Sequence, residues 1–267
     1  MSFFVNNVEL KEASFNQQEV KSIYFNTHLI WKAISWPAAG TPLRDWTWEE
    51  IINLCNSGED VRQYFSIGDT RSLVLTTGEV VTVAIGDFYH NTITGTNDTA
   101  AIAFTFVNCL KTKYAMNTSD TSQGGWDGSN MRRTHMPNIL ATFPAELTAN
   151  NAIKYVDVVA SAGLNSTTLI TSSDRLRLHS VTELGDSEGY KDNYVVEGTP
   201  YPYYKSLSSI KKYTNGNPVN YWTRTPAIVS FTSAGYNKCF CWYMYVHNMI
   251  AGTLANYDNY VACAFDI

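Results

Sequence analysis

The sequence predicts an α+β protein, and two local patterns and one bulk property support that fold class. Apolar residues recur at helical spacing over residues 48–55, which predicts an amphipathic helix. Over residues 240–247 apolar residues alternate with more polar ones, which predicts a strand with two different faces. The 267 residues are 45% hydrophobic and 13% aromatic, which is enough for a substantial core. Because helical patterns fall in the middle and strand patterns at both ends, we expect an α+β arrangement.

Composition excludes several classes of function. The net charge is −5 and no block of Lys and Arg is present, so we expect no nucleic-acid partner. No apolar run approaches the roughly 20 residues of a membrane span, and residues 1–6 resemble no secretory signal. We therefore expect a protein made in the cytoplasm without membrane insertion. Five scattered cysteines suit a reducing compartment better than a disulfide framework.

The N-terminal part predicts a small hairpin followed by a linker and a helix. Strand-like residues 20–25 and 28–31 flank Asn26–Thr27, a plausible tight turn. A hairpin this small needs to pack on the main domain, another subunit or a larger assembly. Residues 37–42 contain two prolines and a glycine and predict a linker. Thr47 and Glu50 then have the spacing of a capping box, and Gly58 is a natural helix stop.

The middle of the chain predicts strands first and then helices. Strands are expected at 73–75, 80–85 and 101–106, with a turn at Thr77–Gly78. Helices are expected at 138–147 and at 153–161, the second ended by Gly163. Short strands are expected around Leu169 and at 176–178.

The tail, residues 221–267, changes character, because its only charged residues after Arg224 are Lys238, Asp258 and Asp266. On the predicted strand 240–247 one face suits a core and the other suits a binding surface, because Tyr offers a rigid contact area with a polar group. Ordinary half-buried sheet tyrosines would give the same pattern. The core face would hold Phe240, Trp242, Met244 and Val246, and the outer face Cys241, Tyr243, Tyr245 and His247.

Several sequence blocks occur in the order found in one family. They are Ile67-Gly68-Asp69, Ile85-Gly86-Asp87-Phe88-Tyr89-His90-Asn91, Met116-Asn117, Gly124-Gly125-Trp126-Asp127-Gly128, Thr171-Ser172-Ser173-Asp174, Trp222-Thr223-Arg224-Thr225-Pro226 and Tyr260-Val261-Ala262-Cys263-Ala264-Phe265. Over residues 66–267 the chain resembles the C-type-lectin-like domain family of unknown function common in tail proteins of phages and prophages. It is also similar to variable proteins of diversity-generating retroelements. Tyr260 and Cys263 depart from the family's usual Gly and Pro, so the last turn is expected to differ locally.

The resemblance implies a C-type-lectin-like domain at 66–267, whose N- and C-terminal strands pair, after a helical connector at 45–65 and a β-hairpin leader and linker at 1–44. It implies a receptor-binding protein at a phage or prophage tail tip in the virion, with a diversified C-terminal surface. The implied partners are a host-cell surface protein or glycan, other tail proteins through the hairpin, and copies of itself in a homotrimer. The implied ligand-binding residues are Ile228, Ser230, Phe231, Thr232, Tyr236, Asn237, Tyr243, Tyr245, His247, Asn248, Thr253, Tyr257 and Asp258.

Two alternatives stay open at this point. One is a structural tail or baseplate component without a receptor role. The other is an enzyme with the fold of formylglycine-generating enzymes, for which Cys239 and Cys241 are the paired candidates. We predict no catalytic residues, because the histidines are scattered and no basic residue beyond Lys238 would activate these thiols.

We also predict no metal and no cofactor, because a calcium site needs a carboxylate-rich loop. His90 is expected to be a hydrogen-bonded structural residue. Asp127 and Asp174 are expected at turns or helix caps.

Overall fold

In this computed structural model the chain is described in full at residues 36–185, 194–227 and 250–267. Elsewhere the structure describes the strands within residues 1–35 and 228–249, and the side chain of Phe240. The helices are α1 (Trp48–Cys55), α2 (Gly125–Gly128), α3 (Met136–Leu140), α4 (Ala145–Thr148) and α5 (Pro202–Lys205), with 3-10 turns at Leu43–Asp45 and Val61–Gln63 and a π-helical turn at Met131–His135.

The strands follow in chain order. They are β1 (Phe4–Val5), β2 (Val8–Glu9), β3 (Ser14–Phe15), β4 (Gln18–Glu19), β5 (Ser22–Phe25), β6 (His28–Lys32), β7 (Thr70–Val74), β8 (Val80–Phe88), β9 (Ile102–Phe106), β10 (Tyr114–Ala115), β11 (Val156–Ser161), β12 (Leu169–Asp174), β13 (Leu176–Leu178), β14 (Lys212–Thr214), β15 (Asn217–Val219), β16 (Tyr221–Pro226), β17 (Cys239–Met244), β18 (Met249–Leu254), β19 (Asp258–Asn259) and β20 (Cys263–Asp266). The described residues are mixed α and β with open sheets, consistent with the predicted α+β class.

The first strands form three antiparallel pairs, β1 with β2, β3 with β4 and β5 with β6. The third is the predicted hairpin, and its register places Phe25 opposite His28. This prediction is therefore confirmed for the two strands, while the Asn26–Thr27 turn lies outside the described residues.

Helix α1 begins where the sequence predicts, because Thr47 caps it. The Thr47 Oγ1 atom accepts a hydrogen bond from the Glu50 amide at 3.1 Å, and the Thr47 amide donates to Glu50 Oε2 at 2.7 Å. These two bonds satisfy donors that the first turn of a helix leaves free. On its inner face Trp48 packs edge-on against Phe104 and Phe265, with ring centroids 5.6 and 6.2 Å apart. The helical connector therefore shares the core of the following domain.

The core lies around a five-stranded antiparallel sheet with the order β13-β20-β9-β8-β7. The last strand, β20, lies inside the sheet, and its Phe265 is opposite both Phe104 and Leu176. Every residue of β9 and β20 is buried. The first strand of the domain, β7, is an edge strand separated from β20 by β9 and β8. The expected direct pairing of the first and last strands of the domain is therefore not observed, although both belong to one sheet.

Two helix predictions need correction. The predicted helix at 153–161 is wrong, because β11 occupies Val156–Ser161 and pairs along its whole length with β12. Its alternate residues Val156, Val158 and Ala160 are buried, which is the period of a strand. The predicted helix at 138–147 is replaced by α3 and α4, and Pro144 stands at the N-cap of α4. A proline has no amide hydrogen to continue the helix that precedes it.

Candidate functional site

The tail begins with a strand that is completely buried. All six residues of β16 are buried, and β16 forms a three-stranded sheet with β17 and β18. Trp222 lies opposite Trp242 of β17 in the register, and its indole Nε1 donates to the Tyr114 carbonyl at 2.8 Å. The backbone that enters the predicted binding segment is therefore fixed on both sides.

A buried ion pair holds this strand to the domain. The Arg224 guanidinium donates from Nη1 to Glu183 Oε2 at 2.6 Å and from Nη2 to Glu183 Oε1 at 2.7 Å. Further bonds run from Nη1 to the Leu178 carbonyl at 3.0 Å and from Nη2 to the Val159 carbonyl at 3.2 Å. Burial alone would raise the pKa of Glu183, but Arg224 and His179 hold that pKa below its ordinary value. Two charges can remain buried here because each is fully hydrogen bonded.

His179 extends the cluster toward the central sheet. Its Nδ1 atom lies 3.1 Å from Glu183 Oε2, and its Nε2 atom lies 2.9 Å from Thr105 Oγ1. Burial lowers the pKa of His179 to about 4. The imidazole is therefore neutral at pH 7, and it links the tail strand to β9.

A second buried ion pair fixes the other end of the tail. Arg177 Nη1 donates to Asp266 Oδ2, and Arg177 Nη2 donates to the Tyr201 hydroxyl at 2.9 Å. The Asn91 side-chain amide bridges the same groups, at 2.7 Å from Asp266 Oδ1 and 2.8 Å from the Tyr201 hydroxyl. Thus Asp266, one residue before the last, is anchored from two directions.

Glu197 is a third buried carboxylate of this cluster, and among the described residues it pairs with no guanidinium. It accepts hydrogen bonds from the Ser161 amide and from Thr225 Oγ1, each at 2.6 Å. Burial raises the pKa of Glu197 to about 7, despite the opposing effect of the nearby Arg224 charge. Its partners are far away in the chain and it follows no motif, so no sequence signal identifies it.

Most of the predicted ligand-binding residues lie outside the described residues. This holds for Ile228, Ser230, Phe231, Thr232, Tyr236, Asn237, Tyr245, His247 and Asn248. Tyr243 is described only through its backbone, which pairs with Tyr221 on one side and Ile250 on the other. On the predicted core face of the same strand, Phe240 is fully buried.

The three remaining predicted residues separate into two groups. Tyr257 and Asp258 are exposed, at the point where β19 pairs with β10. Thr253, by contrast, is only 6% exposed. Its assignment to an exposed display surface needs correction, because its side chain is covered on strand β18.

The Gly-Gly-Trp block is a packing element. Trp126 is fully buried, and its indole Nε1 donates to Asp174 Oδ2 at 2.8 Å, while Arg132 Nε donates to Asp174 Oδ1 at 2.6 Å. The prediction that Asp174 is a turn or cap residue is therefore wrong, since its carboxylate is a buried acceptor at the end of β12. A Cβ atom at Gly125 would lie 1.8 Å from the Ser161 carbonyl oxygen, so this position requires glycine.

A groove of about 490 Å³ lies between the π-helical turn, α3 and the strands β12 and β13. We call it the arginine groove, because Arg132, Arg133 and Arg175 line it. Its lining includes the apolar side chains of Met136, Leu140 and Leu176. Sequence reasoning missed this groove. In the sequence, only the adjacent pair Arg132 and Arg133 hints at a cluster of positive charge. Arg175 is distant in the chain, and the fold brings it to the same groove.

The other side chains considered for catalysis or metal binding are the cysteines and His90. Burial raises the pKa of the Cys55 and Cys109 thiols to about 12 and raises that of Cys263 further. Cys239 and Cys241 have no described side chains. His90 bonds through Nδ1 to Asp87 Oδ2 at 2.6 Å, as expected of a structural histidine. Within the described part of the chain, no group of three or more His, Cys, Asp or Glu side chains could hold a metal.

Among the residues whose structure is described, no helix is both long and apolar enough to cross a membrane. Comparison of the chain with family models, with curated proteins and with solved structures found no match.

Proposed function

We propose that this chain is a receptor-binding protein of a phage or prophage tail, in which a C-type-lectin-like scaffold displays a diversified C-terminal surface. The observation that carries the proposal is the anchoring of the tail at both ends. The tail begins at β16, tied by Arg224 to Glu183, and ends at β20, tied by Asp266 to Arg177. Between these strands the chain carries a Tyr- and Asn-rich sequence whose only charged residues are Lys238 and Asp258.

A tail with anchored ends and a variable middle suits recognition, because binding energy concentrates in a few exposed side chains while the scaffold supplies stability. Tyr257 and Asp258 are exposed within the tail, whereas the flanking framework residues Asn259 and Val261 are buried. Substitutions at exposed positions can therefore change affinity without unfolding the domain.

The experiment is a cell-binding assay with the full chain carrying a fluorescent label, on a panel of bacterial strains. We expect saturable binding to a subset of strains, lost or redirected in Tyr257→Ala and in Tyr243→Ala. Tyr213→Ala is the matched control, because Tyr213 is an exposed tyrosine on β14, outside the tail, with 41% exposure. Equal effects of Tyr213→Ala and Tyr257→Ala, or no binding to any strain, would argue for the structural tail component instead.

A further inference from the structure

The arginine groove has the size and chemistry of a small-ligand site. Its volume of about 490 Å³ falls in the range of roughly 300–1,000 Å³ typical of such sites. Apolar side chains form part of the lining, and Thr148 and Ser173 add polar groups to it. An exposed aromatic ring, Tyr155, stands at the groove and is 50% accessible.

The charge of the lining is unbalanced. The lining has three guanidinium groups and one carboxylate, that of Asp174, and a second carboxylate, that of Asp127, pairs with two of these arginines. Arg132 is neutralised, since its guanidinium lies 2.6 Å from Asp174 and 3.1 Å from Asp127. Arg133 donates from Nε to the Asp127 carbonyl at 2.8 Å and lies 3.5 Å from the Asp127 carboxylate, and its side chain is 61% exposed. Three arginines and two carboxylates leave one excess positive charge here, and in a chain with a net charge of −5 this local excess favours an anion.

Arg175 is the best placed of the three to receive that anion. Its Nε atom donates to the Ile153 carbonyl at 3.1 Å and its Nη2 atom to the Thr148 carbonyl at 3.2 Å. Among the described residues it forms no ion pair with a carboxylate. The two carbonyls hold the planar group in place without neutralising it, so little side-chain entropy is lost when a ligand binds. Its Cζ atom also lies 5.7 Å from the centroid of the Tyr155 ring.

We propose that the arginine groove binds an acidic saccharide, with its carboxylate on Arg175 and Arg133 and a ring face on Tyr155. A guanidinium binds a carboxylate through two parallel hydrogen bonds. A small inorganic anion would leave the apolar part of the lining and the tyrosine ring without contacts. The hydroxyl groups of Thr148 and Ser173 donate their hydrogens within the chain, which leaves their oxygens as acceptors for the hydroxyl groups of a sugar. This site shares no element with the tail and is independent of the proposed function.

The test is calorimetric titration of the full chain with glucuronate and with short oligogalacturonates, which separates a free acidic sugar from a polymer segment. We expect saturable binding that weakens with added salt, and no binding of glucose or of the neutral methyl ester of glucuronate. Arg133→Gln and Arg175→Gln should each weaken binding by at least about tenfold, and Tyr155→Ala should also weaken it. Arg62→Gln is the matched control, because Arg62 lies 5.3 Å over the Tyr89 ring but outside the groove lining.

Three results would overturn the proposal. One is no saturable binding up to roughly 10 mM probe, beyond the ordinary range of specific small-ligand affinity. Another is binding that Arg133→Gln and Tyr155→Ala leave unchanged; both side chains are exposed, so these variants are informative even if Arg175→Gln misfolds. The third is preference for an acidic peptide over the acidic sugars in the same titration.

Discussion

Arg224 and Glu183 meet in a two-pronged ion pair that is almost completely shielded from water, with the two side chains 1% and 5% exposed. The pair joins residues 41 positions apart in the chain and fixes the strand from which the tail begins. A buried pair of this kind adds little net stability over apolar residues, but breaking it leaves a charge without a partner. It specifies where the strand lies.

We predict that Arg224→Met destabilises the domain by about 3–5 kcal/mol, because Glu183 would lose both guanidinium bonds while remaining buried. The carbonyls of Leu178 and Val159 would lose their donors in the same variant. Urea unfolding followed by tryptophan fluorescence measures the loss.

Two companion variants sharpen this measurement. Adding Glu183→Gln to Arg224→Met removes the unpaired charge, so the double variant should lose less than the sum of the single variants. Arg62→Gln breaks an exposed pair with Asp60 at 2.8 Å and should leave the free energy of unfolding nearly unchanged. An Arg224→Met protein as stable as Arg62→Gln would show that the buried pair is not formed.

Glu197 predicts a specific pH dependence. Burial raises its pKa from 4.5 to about 7, so the folded protein binds a proton that the unfolded chain has released in this interval. Its contribution to stability is therefore present below pH 4.5 and is lost as the pH rises toward 7. Glu197→Gln mimics the protonated acid and keeps partners for the Ser161 amide and Thr225. Relative to the native chain, the variant should gain on the order of 1–3 kcal/mol between pH 4.5 and 7.

The native chain and the Glu197→Gln variant need to be compared at each pH, because His179 changes the free energy of unfolding with pH in the opposite direction. Burial lowers its pKa from 6.5 to about 4, so its contribution to stability is lost as the pH falls through that range. This contribution is common to both proteins and cancels in the difference between their unfolding free energies. A difference that stays constant from pH 4.5 to 7 would mean that Glu197 is ionised in the fold throughout.

Gly125 and Gly78 make a matched pair for testing the Gly-Gly-Trp packing. Both have a positive φ, +55° and +82°, but a Cβ atom at Gly125 would clash with the Ser161 carbonyl, whereas at Gly78 nothing lies within 4 Å. Gly78→Ala should cost about 1 kcal/mol through backbone strain alone. Gly125→Ala should cost more than about 3 kcal/mol or prevent folding, because backbone atoms must move. Equal thermal stability of the two variants would contradict the packing of α2 against β11.

Helix α1 and the β7–β8 turn could be predicted because their signals are local. A capping pair three residues apart and a glycine in a tight turn act within one segment of chain. The helix predicted at residues 153–161 is wrong because a short Val-rich segment of this kind is compatible with the periods of both a helix and a strand. In the structure, Val156–Ser161 of this segment form a strand because they pair with β12. The Arg177–Asp266 pair spans 89 positions, and no spacing rule connects residues so distant.

Recognition through the tail is expected to survive removal of divalent metal ions. The sequence has no carboxylate-rich loop that could supply the six or more oxygens of a calcium site. The cell-binding assay with and without EDTA measures this directly. Loss of binding in EDTA that returns with added calcium would point to a metal-dependent site instead.

The last prediction concerns which tail positions vary in nature, and it rests on the proposed diversification. Mutagenesis at the adenines of Asn codons cannot produce Lys, Met, Trp, Gln or Glu, so Lys238, Trp242, Met244 and Met249 should be constant framework residues. Tyr257 and Asp258 pass this codon test and are exposed, so they should vary.

Thr253 distinguishes the limit that burial places on variation from the limit that the codons place on it. It also passes the codon test, but its side chain is buried, and substitution of a packed residue changes stability before it changes affinity. Sequencing the locus across a population should therefore show Tyr257 and Asp258 varying while Thr253 stays small and constant. Variation at Trp242 or Met244 as frequent as at Tyr257 would rule out adenine-directed diversification, and variation at Thr253 alone would show that burial does not limit it.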